Sequence, residues 1–140
     1  YNPGATAAVW QRLIDLTGNN AADAFSVMTG AADHPSNAAR RDNYAKKLTA
    51  MSGGTVTVED GVVYVNKKKL LIPAAAGGMS SAERAYFVMG NLAAAYRNGH
   101  AAKEAYVDGR TVMLGAQPIV SCTGNDADPA EIAVLLNRIK

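Results

Sequence analysis

Cysteine occurs once, at Cys122, in a chain of 140 residues. That excludes an internal disulfide and every metal site built from several thiolates. Aromatic residues make up only 6%, so the core must come from small side chains on closely approaching helices. No apolar run reaches the ~20 residues that a membrane-spanning helix needs. The opening YNPGATAAVW lacks the basic flank and apolar stretch of a signal peptide. Without a signal peptide or a disulfide pattern the expected location is the cytoplasm, with no membrane partner. Tyr1 at the first position reads as a trimmed start, so the expectation is one domain over residues 1–140, a fragment of a longer chain. The formal net charge of +2 is too small on its own to demand a nucleic-acid partner.

What is present is patterned. ATAAVWQRLIDLTG places Val9, Leu13 and Leu16 at helical spacing before Gly18. Asn20 caps a short second helix with Phe25 and Met28. DHPSNAARRDNYAKKLTAM, started by Asp33 or Ser36, predicts a third, with Tyr44, Leu48 and Met51 on its buried face. Then the period changes. TVTVEDGVVYVNKKKLLIP is valine-rich around Asp60-Gly61, a hairpin signal. A second turn near Asn66-Lys67 and a stop at Pro73 complete a three-stranded meander. Ser80 and Glu83 form a capping box ahead of a helix over 80–98, whose stripe is Val88, Leu92 and Ala95. AYVDGRTVML predicts a second hairpin and IVSC a further strand. DADPAEIAVLLNRIK carries Asp128 as N-cap, Pro129 at N1 and a stripe of Ile132, Leu135, Leu136 and Ile139. No internal repeat is visible. Helices first, then strands, then mixed elements point to an α+β fold.

The run from Asp60 to Tyr96 has a particular order: Tyr64, the polar NKKK turn, LLIP, a loop to Ser80, and a capped helix containing AYFVMGNLAAAY. Over residues 55–97 this resembles the zincin-like metallopeptidase domain of plasmid antirestriction and polyvalent phage proteins, and more distantly the ImmA/IrrE peptidases. The resemblance implies a His-Glu-x-x-His motif on the helix, and that its motif positions here are Asn91, Leu92, Ala93, Ala94 and Ala95. Two histidines at i and i+4 can grip one zinc, and the glutamate polarises its bound water. Asn91 is a poor zinc ligand, Leu92 is no base and Ala95 ligates nothing. The resemblance thus implies a pseudoenzyme from a mobile element; the residues alone read as an ordinary core helix.

Other candidates are sparse. Cys122 as nucleophile could take His100 or His34 as base and Asp126 as orienter; the bland alternative is a small buried thiol. Asp126 and Asp128 are the remaining acids for an unnamed enzyme class. Neither His34 nor His100 has a carboxylate at metal-ligand spacing, so no metal or cofactor is expected. Arg40, Arg41, Lys46 and Lys47 on the third helix, with Lys67, Lys68 and Lys69 in the turn, could form one cationic face that tracks phosphates. The expectation is therefore a non-catalytic domain that binds a macromolecule, nucleic acid among the candidates. The alternatives are an enzyme using Cys122 or an acid, and a structural domain that self-associates.

Overall fold

The computed structural model describes residues 3–17 and 37–140. In chain order the elements are α1 (Ala5–Thr17), α2 (Asn37–Met51), β1 (Val56–Glu59), β2 (Val62–Val65), β3 (Lys68–Leu71), α3 (Ser81–Arg97), a 3-10 turn (His100–Ala102), β4 (Ala105–Asp108), β5 (Thr111–Leu114), β6 (Gln117–Ser121) and α4 (Pro129–Ile139). The fold is α+β, with two small antiparallel sheets ordered β1-β2-β3 and β4-β5-β6. The predicted helix at Asn20, the start at Asp33 or Ser36, the side chains of Leu13 and Leu16, and His34 lie outside the described residues.

Local chemistry sets the elements. Ser80 Oγ accepts from the Glu83 amide at 3.1 Å, and Glu83 returns to the Ser80 amide. This capping box satisfies amides that a helix start leaves open. Asp60 and Gly61 both have positive φ, as do Asn66 and Lys67; that is the type I′ geometry of tight hairpins. In the second meander the equivalent turns are Gly109-Arg110 and Gly115-Ala116, where only the glycine is positive. They match type II′, which places glycine first.

The two meanders share one strand pattern, although the sequence carries no visible repeat. The pairing Val56↔Val65 through Glu59↔Val62 recurs as Ala105↔Leu114 through Asp108↔Thr111. Each copy breaks register at the same place, between Val63 and Tyr64 and between Val112 and Met113. The inward and outward alternation of β1 and β2 is that of β4 and β5. In both copies a helix precedes the meander and a loop and second helix follow it.

The copies exchange helices. α3 packs on β1 and β2 of its own meander and on β6 of the other; α4 packs on β4 and β5 and also on β3. One apolar cluster joins them, with Met89, Leu92, Val63, Val112, Leu114 and Leu136 fully buried. At the junction Arg84 reaches from α3 into both post-meander loops. Its Nη1 donates to Ala74 O at 2.6 Å and to the Asp126 carboxylate at 2.9 Å, and its Nη2 donates to Ser121 O at 3.1 Å.

Side-chain placement departs from periodicity in two helices. Val9 is 55% exposed, while Ala7 and Ala8 are buried. α1 is pressed against α2 and α3, and small residues permit that approach. Tyr44 is 38% exposed, with Lys47 Nζ 5.0 Å from its ring centroid; Leu48 takes the buried position.

Candidate functional site

Strand and helix directions sort the charges. Asn66 donates through Nδ2 to Ile139 O at 2.6 Å, so the β2–β3 turn rests on the end of α4. Lys140 Nζ donates to Ala101 O at 2.8 Å, which brings in the turn after α3. The Gly115 turn lies against His100 and Lys103. The Asn66 amide donates to Thr55 O, close behind the end of α2. This end of the molecule therefore holds three helix C-termini and two hairpin turns. It carries Lys67, Lys68, Lys69, Arg97, Lys103 and Arg138, all exposed, with Glu104 the exposed acid among them. At the opposite end α3 and α4 begin, beside Glu59, Asp60, Asp108, Asp128 and Glu131. Cations at C-termini and anions at N-termini complement the helix dipoles.

The predicted cationic face divides. The Arg40 guanidinium stands 4.8 Å from the centroid of the Trp10 ring. Arg41 donates to Gln11 Oε1 at 2.8 Å and to Asp42 at 2.9 Å. Both sit toward the acidic end, away from Lys67, Lys68 and Lys69. Lys46 and Lys47 lie in the later turns of α2, nearer the basic end.

The catalytic candidates are also dispersed. Cys122 is 6% exposed. Burial pushes its thiol up, and the Asp126 charge adds to this against the opposing pull of Arg110 and Arg84. His100 accepts through Nδ1 from the Ala116 amide at 3.5 Å. Cys122 follows the far end of β6, about 16 Å away along a strand of five residues. Asp126 has no exposed side-chain surface. It accepts from Ala74 N at 2.7 Å, Thr123 N at 2.8 Å and Thr123 Oγ1 at 3.1 Å, besides Arg84. Asp128 is exposed at the start of α4, and its side chain makes no capping bond. Asn91 donates to Ile119 O at 2.9 Å, and Leu92 and Ala95 are fully buried. The motif face of α3 is thus turned into the protein. Among the described residues no group of three or more His, Cys, Asp or Glu is placed to hold a metal ion. Nor is any helix among them long and apolar enough to cross a membrane.

One feature escaped sequence reading. A cleft of about 460 Å³ opens between α1, α2, the β1–β2 turn and the start of α3, lined by Arg41, Asp42, Glu59, Asp60, Ser81 and Tyr86 among others. Tyr86 is 6% exposed. Burial raises its hydroxyl above the ordinary tyrosine value, Arg41 opposes this, and Asp42 and Asp60 add to it. Ser81 is committed, donating to Pro73 O at 2.6 Å. The sequence signal was the Asp60-Gly61 turn, which reads as local geometry and hides the carboxylates it presents.

The chain matches no family model, no curated protein and no solved structure at a significant level.

Proposed function

We propose that the chain is a non-catalytic module that binds the phosphate backbone of a nucleic acid through its basic end. One observation carries this reading. Lys67, Lys68, Lys69, Arg97, Lys103 and Arg138 come from separate segments, converge on one end, and make no ion pair among the described residues. Unpaired cations gathered on one surface suit phosphate contacts and the release of counterions. The net charge hides them, because most exposed acids among the described residues lie at the other end. The non-catalytic half of the proposal rests on the burial of Cys122 and Asp126 and on Asn91, Leu92 and Ala95. The resemblance of residues 55–97 to zincin-like domains of phage and plasmid proteins enters as proposed ancestry, supported by the order of meander, proline, loop and capped helix.

Fluorescence anisotropy with a labelled DNA duplex, titrated at several salt concentrations, tests the proposal. Affinity should fall with salt, with a log–log slope of about −0.9 per phosphate neutralised. Replacing Lys67, Lys68 and Lys69 by Gln should weaken binding across sequences and reduce the slope by about 1 per lysine. Salt-insensitive self-association without DNA binding would favour the assembly reading instead.

A further inference from the structure

We infer that the cleft at the acidic end is a binding site for a small organic cation of the alkylammonium class. Its volume of about 460 Å³ is within the range of small-molecule sites, roughly 300–1,000 Å³. Its charges are unbalanced. Arg41 is already engaged by Asp42 and Gln11, whereas Glu59 and Asp60 make no ion pair among the described residues. Two carboxylates are therefore left to face a ligand, with no competing free cation among the described lining residues.

Tyr86 is the independent observation. The ring is more than nine-tenths buried, and its hydroxyl has no hydrogen-bond partner among the described residues. It is not enclosed in packing as the Tyr96 hydroxyl is; the residue lines the cleft. The Asp42 and Asp60 charges act on that hydroxyl, so carboxylates and phenol address the same space. A protonated phenol offers an oxygen acceptor and one donor. An ammonium offers three donors and no acceptor, so Glu59, Asp60 and the Tyr86 oxygen can divide its protons. Val58 and Ala82 supply apolar lining for a short methylene stem. A bare metal ion fits less well, because these carboxylates are not grouped at metal-binding spacing. An anion would meet Glu59 and Asp60 without a free counter-charge.

Putrescine is the probe, titrated by calorimetry into the full chain, with inorganic phosphate as the opposite-charge control. Saturable binding of putrescine that phosphate does not displace is the expected result. Tyr86→Phe, which keeps the ring, should weaken binding about fivefold to tenfold. Asp60→Asn keeps a residue type that tolerates the positive φ of this turn; combined with Glu59→Gln it should abolish binding while circular dichroism stays unchanged. The Lys67/Lys68/Lys69 glutamine variant should bind putrescine as the parent does, which separates this site from the proposed nucleic-acid surface. No saturable putrescine binding at millimolar concentration would overturn the inference. So would unchanged affinity in the doubly neutralised variant, or displacement of bound putrescine by phosphate.

Discussion

Asp126 shows how a candidate catalytic acid becomes a fastener. Burial alone would push its carboxyl up, but the amides of Thr123 and Ala74, the Arg84 guanidinium and the Thr123 hydroxyl together hold it below the ordinary aspartate value. A carboxyl depressed in the folded state contributes stability above its unfolded value of about 4. That contribution is lost as pH falls through the lower native value. Asp126→Asn leaves Arg84 buried without its counter-charge and should cost about 3–5 kcal/mol at neutral pH. Urea titrations at stepped pH should show the gap between parent and variant closing below about pH 4. Tyr96 is the opposite case. Its hydroxyl is buried with no partner among the described residues, so Tyr96→Phe removes an unmet demand. Thermal melts should show that variant equal to the parent or more stable, by up to about 1–3 kcal/mol. A loss of stability would mean that the hydroxyl has a partner.

At the scale of elements, legibility followed the range of the chemistry. The capping box of α3, the Asp-Gly turns and the Pro129 start of α4 depend on residues within a few positions, and they read directly from the sequence. Val9 and Tyr44 did not, because both helices offer more than one plausible face and tertiary packing made the choice. Leu92 lies on the predicted stripe of α3 and is fully buried; Leu92→Ala should cost about 2–5 kcal/mol, seen as a lower denaturant midpoint. The Gly115 turn depends on its neighbours. A Cβ there would stand 2.7 Å from His100 Nδ1 and 3.0 Å from Lys103 Cδ, at φ 58°. Gly115→Ala should therefore destabilise the chain and displace the His100–Ala102 turn, seen as shifted His100 ring signals by NMR. The cleft and the basic end were illegible because each is assembled from segments far apart in the chain. The repeat escaped because, at the shared register, the strands keep only Val58/Val107 and Val63/Val112 in common. What the copies share is pairing, bulge and burial, and many residue combinations satisfy those.

At the scale of the whole molecule, duplication and polarity are linked. Two meanders with the same pairing, each followed by a helix, place like helix termini together. Among the described residues most exposed acids then gather at one end and most lysines at the other. The two ends suit different ligand chemistries, one proposed for phosphate and one for an alkylammonium.

A cut between Gly99 and His100 would part the two copies without removing a residue from either sheet. Each piece would lose a helix that covers it: β6 would lack α3, and β3 would lack α4. The second piece, a three-stranded meander with one helix, should not fold alone, and the first keeps three helices but leaves β3 uncovered in water. Mixed, they should recover the parent's circular dichroism at equal stoichiometry, with Arg84 and Asp126 rejoining across the gap. An Arg84→Ala first piece should fail to recover it. The chain is thus a candidate two-part reporter whose halves signal by finding each other.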